Sequence, residues 1–478
     1  TAAEEAEAEL NKEKEISEEH NTAYIPHTWQ LMAPRELNVY TLLGVPFLAT
    51  VVLIGYSVQL NYYPKISEAI YPVLGNSSAY HHSSEDAAPQ AYERLRTVSP
   101  SVSPRLTTEY VEVSLSPDAQ VIGEVAPEFV SSTLDWWRLG TEAWGNASVI
   151  NADLSHPNLL AAAKGLSPLF IRIGGSQSDE IVYNMPQVDN NGNATNNTYD
   201  VTISSRCRES PQKCLTKERW DAVLNFARHS GARIVFTIAY VRHTRDGEGN
   251  NDQKNWDSSN AKQFLEYTAN STHGEYGTVF GFELGNELRH KGKVTNVTRI
   301  VNAYKELRQM INEIWGKEGR KHYHKPVMLG PASTGNKETT KLLAHVGPHI
   351  SIASYHKYHG GGKDPDLLER ASRPHFYSHP SQLSGPGEAV KAFMRNNSEI
   401  SQLWIGEGAM AYNSGRQGLT DSFRGSLWFA NLLGALAKTK PFAHSVYCRQ
   451  ALIGGFYELV SHETLIPNPD YWVAHMWK

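Results

Sequence analysis

The sequence predicts an α/β protein built on an eight-stranded β/α barrel (a TIM barrel) over residues 129–478. A pre-barrel strand segment and an N-terminal membrane segment come before it. Three observations carry this prediction. Eight short apolar runs recur between residues 129 and 455. Helix-like stretches separate them. Two of the runs deliver a carboxylate, Glu287 and Glu407, toward their C-terminal ends, where barrels of this kind build their sites.

Composition agrees with a large packed body. The 478 residues are 40% hydrophobic and 20% charged, which excludes disorder, collagen and coiled coil for the bulk of the chain. Three Cys exclude a disulfide framework. Residues 1–20 hold eight Glu and two Lys, a charge of −6 against −5 for the whole chain, so the remainder carries +1. A near-neutral body argues against a nucleic-acid partner.

Residues 1–36 read as an acidic tail on the cytosolic side, since such a run repels itself and buries little. Residues 37–64 are 28 positions without a charge. A membrane span needs about 20 mainly apolar residues, so this segment is expected to be a transmembrane signal-anchor. A cleaved signal sequence and a buried core helix are the alternatives. N-x-S/T sequons at Asn76, Asn146, Asn193, Asn196, Asn270, Asn296 and Asn396 all follow it, which places the body in the secretory lumen or at the cell surface. Residues 65–105, rich in Ser, Pro, Ala and His, read as a stalk. In 106–128, Val111, Val113 and Leu115 alternate with polar neighbours as a half-buried strand does.

The eight candidate barrel strands are 129–136, 169–175, 233–240, 279–287, 327–333, 350–358, 403–412 and 445–455. Short continuous apolar runs fit strands covered on both faces. Between them, 220–229, 297–315 and 423–438 read as helices; in the second, Ile300, Tyr304, Leu307, Ile311 and Ile314 keep helical spacing. A doubly wound sheet would alternate in the same way.

Glu287 closes the fourth run, behind Asn286, and Glu407 lies in the seventh. Two carboxylates across one pocket suit glycoside hydrolysis, where one protonates the leaving oxygen and the other attacks the anomeric carbon or activates water. Salt-bridged strand-end residues are the competing reading. No metal is expected: His356 and His359, and His322 and His324, show no zinc spacing. His356 is expected to orient a carboxylate or the sugar. Gly360–Lys363 lacks the spacing of a phosphate loop. Arg289, His290, Lys291 and Lys293 follow Glu287 and read either as a solvated loop or as an edge for an acidic polysaccharide.

Eight blocks then carry a resemblance. They are TLDWW (133–137), GLSPLFIRIGGSQSDEIVY (165–183), CLTKERWDAV (214–223), FELGNEL (282–288), SYHKY (354–358), WIGEGAMAYNSGRQG (404–418), YCRQALIGG (447–455) and IPNPDYWVAHMW (466–477). In this order they resemble glycoside hydrolase family 79, the heparanase and heparanase-like β-glucuronidases, and look closer to its plant members than to animal heparanase.

The resemblance implies a retaining hydrolase with no cofactor, Glu287 as acid/base and Glu407 as nucleophile. It implies that Asn286 bonds the sugar 2-hydroxyl and that Asp135 and Ser176 bind other hydroxyls. Tyr412, Asn413 and Ser414 match the segment that receives the uronate carboxylate, where animal heparanase has a glycine run. Tyr358, Gln450 and Tyr457 would line the same subsite. Cys207 and Cys214 correspond to a Cys pair of the plant-type members, so a disulfide is expected there, with two unpaired thiols as the alternative. The family's β-sandwich combines a pre-barrel strand with several later strands, so it is expected to be incomplete in a sequence ending at Lys478. The implied partner is a glucuronic-acid-containing polysaccharide or proteoglycan glycan. A barrel glycosidase of other sugar preference and an inactive membrane-tethered carbohydrate-binding protein remain as alternatives.

Overall fold

The structure, a computed structural model, describes residues 121, 123–137, 140–187, 199–240, 256–270, 276–290, 294–317, 324–334, 336–373, 394, 399–437 and 444–478. The predicted tail, membrane segment, stalk and pre-barrel strand at 108–117 lie outside these residues. Among the described residues, no helix is long and apolar enough to cross a membrane.

Among the described residues the first elements are β1 (Val130–Asp135), α1 (Pro157–Gly165), β2 (Leu169–Gly174), β3 (Val182–Asn184), α2 (Val201–Glu209) and β4 (Cys214–Thr216). It continues through α3 (Lys217–Ser230), β5 (Ala232–Ile238), α4 (Ser259–Asn270), β6 (Val279–Leu284), α5 (Val297–Trp315), β7 (Val327–Thr334) and α6 (Asn336–Val346). The last elements are β8 (Ile352–Tyr358), α7 (Leu367–Ala371), β9 (Gln402–Ala409), α8 (Phe423–Ala437), β10 (Val446–Arg449) and α9 (Pro469–Met476). Eight strands close in the order β1-β10-β9-β8-β7-β6-β5-β2, with β2 back on β1, and every pairing is parallel. This is the predicted barrel, and each predicted strand is present. The pairing β3–β4 forms a separate two-stranded sheet that apolar periodicity did not reveal, because each strand is only three residues long.

Local chemistry starts and stops the helices. The Thr216 side chain accepts from Arg219 N at the start of α3, and Gly231, at φ 71°, ends that helix in the left-handed conformation that glycine adopts without a Cβ clash. Asn296 caps α5 through Arg299 N, and α5 buries Ile300, Tyr304, Leu307, Ile311 and Ile314, the stripe read from the sequence. On α3, Trp220 is fully buried, with its ring 5.0 Å from both Phe236 of β5 and Phe264 of α4. Burying such a ring contributes about 2–3 kcal/mol. At the N-terminal end of the barrel interior, Phe170, Val235, Leu329, Ile352, Trp404 and Val446 form an apolar plug. It leaves the C-terminal end for polar residues.

Candidate active site

Charge enters the barrel through β2. Within LFIRIG, Arg172 is 1% exposed, and its three donor nitrogens spread across the barrel. Nε donates to Glu283 of β6 at 2.7 Å, Nη1 to Glu407 of β9 at 2.8 Å and Nη2 to Asn286 at 2.9 Å. Glu283 also accepts from Ser354 of β8 at 2.6 Å and Thr237 of β5 at 3.3 Å. Burial opposes ionisation of Glu283, yet Arg172 holds its carboxyl below the usual range. Burial likewise opposes the charge on Arg172, and the carboxylates around it more than compensate. A buried charge network of this kind persists when every member is paired.

Asn286 and Glu287 sit on the turn that leaves β6. The Asn286 amide N–H donates to Asp179 at 3.0 Å, and that of Glu287 to the Ala332 carbonyl at 3.0 Å. Glu287 has φ 52°, a left-handed conformation unusual for a side chain larger than glycine, so these bonds hold the carboxylate in a strained position.

The register of β8 against β9 slips between Tyr355 and His356, which sets His356 directly beside Glu407. His356 Nδ1 is 2.7 Å from Glu287 Oε1 and 3.7 Å from Glu407 Oε2. Tyr358 donates to Glu407 Oε1 at 2.5 Å. Burial lowers the basicity of His356, but the Glu407 carboxylate and the hydrogen bond with Glu287 prevail and raise it above the ordinary imidazole value. Burial and Glu407 hold the Tyr358 phenol well above its usual range, so it remains a donor. Oxygens of Glu287 and Glu407 lie within 4.8 Å of each other. Carboxyl pairs of retaining glycosidases stand about 5–5.5 Å apart and those of inverting ones about 6.5–9.5 Å. The pair is therefore close enough for direct attack on a sugar.

A second cluster lies across the barrel mouth. Asp135 at the end of β1 accepts from Gln450 Nε2 at 2.5 Å, Thr133 donates to Gln450 Oε1, and the Tyr457 hydroxyl is 3.4 Å from Gln450 Nε2. Gly175 makes room for this carboxylate: a Cβ there would stand 2.6 Å from Asp135 Oδ2. Burial, reinforced by the Glu407 charge, raises the Asp135 carboxyl to about 7. Ser176 is exposed one residue beyond Gly175, on the same rim.

The loop after β9 supplies the third wall. Asn413, Ser414 and Gly415 are successive left-handed residues, at φ 57°, 63° and 75°. Trp144 Nε1 donates to Ser414 Oγ at 2.9 Å, and Phe456 N to the Ser414 carbonyl at 2.8 Å. Gly362 packs so closely that a Cβ would lie 2.0 Å from the Gly415 carbonyl oxygen. Tyr412 is half-exposed and meets Tyr358 edge-on, 6.2 Å between centroids.

The other expectations divide. Cys207 and Cys214 are bridged, with Cα atoms 5.1 Å apart, within the range a disulfide needs. Asn146 and Asn296 are exposed, Asn270 is partly so, and Asn76, Asn193, Asn196 and Asn396 lie outside the described residues. Arg289 is not a free edge for an acidic chain: it pairs with Glu338 at 2.9 Å and bonds the carbonyls of Val294 and Thr295, closing its own loop. Lys291 and Lys293 lie outside the described residues. His359 is buried edge-on against Trp428, and burial pushes it down to about 3. Glu287, His356 and Glu407 are close enough to share a metal ion, but the Arg172 guanidinium on Glu407 sets a fixed positive charge beside them that opposes a cation.

Sequence reasoning missed Arg172, Glu283, Asp179, Thr133 and Trp144. Two of these left a signal: Arg172 and Glu283 are charged residues in the middle of runs read as buried strands, and a charge there requires a partner.

The sequence model described as "Glycosyl hydrolase family 79, N-terminal domain" matches residues 111–434. The chain is 32% identical to "Heparanase-like protein 1" of Arabidopsis thaliana over 372 residues, which is 75% of this chain and 65% of that one. It is 28% identical to "Baicalin-beta-D-glucuronidase" of Scutellaria baicalensis over 392 residues, 77% and 70% of the two chains. With "Heparanase" of Gallus gallus it shares 26% identity over 428 residues, 79% and 73%. It thus spans just under two thirds of the length of the Arabidopsis relative. A match over more than half the sequence places the chain in glycoside hydrolase family 79.

Proposed function

We propose that the protein is a retaining β-glucuronidase of the heparanase-like kind, acting on glucuronic-acid-containing glycans by double displacement. The observation that carries this reading is the convergence of Glu287 and Glu407 to within 4.8 Å at the C-terminal mouth of the barrel. Glu407 acts as nucleophile: Arg172 and Tyr358 each hold one of its oxygens and fix the carboxylate against rotation. Glu287 protonates the departing oxygen as Glu407 forms a bond to the anomeric carbon. The Glu287 carboxylate then takes a proton from water, which displaces Glu407 and releases the sugar with its configuration retained. His356, between the two, orients Glu287 through its Nδ1 contact. Asn286, pinned by Arg172 and Asp179, faces the 2-hydroxyl, where a bond that strengthens in the transition state accelerates the reaction.

The sugar is read by Asp135, Ser176, Gln450 and Tyr457 through its hydroxyls. The turn Tyr412–Gly415 receives the uronate carboxylate. Three successive left-handed residues make a tight main-chain turn here, and turns are among the backbone arrangements whose N–H groups bind anions. The glucuronidase names of similar proteins support this choice of sugar. Hydrolysis of an aryl β-glucuronide beside the matching β-glucoside and β-galactoside tests it. The glucuronide should be cleaved much faster, and equal or reversed rates would refute the specificity.

The same reading takes the body to be lumenal or extracellular, tethered through residues 37–64. The Cys207–Cys214 bridge supports an oxidising compartment, and exposed sequons at Asn146 and Asn296 support glycosylation. Deglycosylation should increase gel mobility, and sealed microsomes should shield the body from protease. An unglycosylated, protease-sensitive body would overturn the placement.

A further inference from the structure

The block 466–477 takes no part in the site described above, yet it carries Asp470, 2% exposed in the first turn of α9. Its Oδ2 accepts from Arg449 Nη2 at 2.5 Å, and its Oδ1 from Ser426 of α8 at 2.8 Å. Arg449 ends β10 and is wholly buried, its guanidinium 5.3 Å from the Phe429 ring centre and 5.6 Å from that of Trp428. The third partner is the informative one. Arg449 Nη1 donates to the main-chain carbonyl of the next residue, Gln450.

The main chain of Gln450 is therefore held on both sides. Its N–H donates to Gly408 O at 2.9 Å, one residue beyond Glu407, and its carbonyl rests on Arg449. A backbone fixed in this way allows the side-chain amide to bridge Asp135 and Tyr457. We propose that Arg449 and Asp470 are positioning residues for sugar recognition. An outer helix sets the place of Gln450 and, through it, of the Asp135 carboxylate. This rests on the reading that Gln450 and Asp135 touch the sugar. Apolar residues of similar volume often replace a buried ion pair without loss of stability, so a positioning role of this pair can be measured apart from folding.

The same principle supplies the test. Arg449→Met with Asp470→Leu removes the charges together and releases the Gln450 carbonyl. On an aryl β-glucuronide, KM should rise about tenfold, the loss of one good hydrogen bond, with kcat nearly unchanged. Adding Gln450→Ala to this variant should then cost far less than Gln450→Ala alone, because the two act through one contact. An unchanged KM, or a full independent effect of Gln450→Ala, overturns the proposal. If the double variant folds poorly, Asp470→Asn replaces it, with a smaller rise in KM expected and an unchanged KM as the refuting result. If the parent protein cleaves no β-glucuronide, the functional reading has failed on its own, and a crystal structure of the variant decides the inference. Gln450 Nε2 displaced from Asp135 beyond hydrogen-bond reach upholds it, and a retained contact near 2.5 Å overturns it.

Discussion

Replacing Asp135 by Asn should make the protein more stable above neutral pH and leave it unchanged in acid. The carboxyl is fully enclosed, faces Glu407 and is raised from 3.8 to about 7 in the folded protein. In the unfolded chain it titrates near 3.9. Between these values the folded state binds the extra proton, so stability falls as pH rises through this window and is constant above it. Three units of separation correspond to about 4 kcal/mol of cost for an ionised Asp135 at pH 8. An Asn amide carries no charge and can still turn its oxygen toward Gln450 Nε2, so it should recover much of that amount. Urea denaturation of both proteins from pH 4 to pH 9 measures it. The difference should be near zero at pH 4, grow to pH 7 and then level off, while activity falls because the sugar has lost an anionic acceptor. A difference independent of pH, or an Asn variant less stable at pH 8, would refute the reasoning.

Three further outcomes are expected. Arg172→Met should cost about 3–5 kcal/mol, because Glu283 and Glu407 lose a shared buried partner; Arg172→Lys should cost less stability and still lose activity, since one ammonium cannot span three acceptors. Denaturation and kinetics on the two variants check this, and wild-type activity in the Lys variant would contradict it. Replacing Cys207 and Cys214 by Ala opens a loop of sequence separation 7 and should cost about 2–3 kcal/mol with little effect on kcat/KM. Asn413→Gly should relieve a left-handed residue, raising stability by up to about 1 kcal/mol, and should leave KM nearly unchanged if main-chain N–H groups read the uronate. A large rise in KM would assign that task to the Asn413 side chain.

The barrel was legible because its strands are buried on both faces and so stand out as apolar runs. Val297–Trp315 was legible to the residue because its stripe is regular and Asn296 caps it. Glu287 and Glu407 were found as carboxylates at strand ends, but their spacing depends on the register slip beside His356, which no local pattern encodes. Arg172 shows the same limit from the other side. Its position inside an apolar run signalled a buried charge, while its partners lie 111, 114 and 235 residues away in sequence. Arg289 stayed open between a solvated loop and a binding edge, because its partner Glu338 lies on α6, 49 residues away in sequence. The strand β3 and its partner β4 were too short for any period to emerge.

The central claim is that Glu407 forms a covalent bond to the sugar while Glu287 moves the proton. A dinitrophenyl 2-deoxy-2-fluoro-β-glucuronide tests it most directly, since the fluorine slows release of the intermediate and the leaving group departs without a proton. Digestion and mass spectrometry of the labelled protein should find one fluorosugar on the peptide carrying Glu407. Glu287→Gln should still become labelled, and added azide should release a β-azide from this variant on the unfluorinated dinitrophenyl substrate. Label on Glu287, or label formed in Glu407→Gln, would contradict the account.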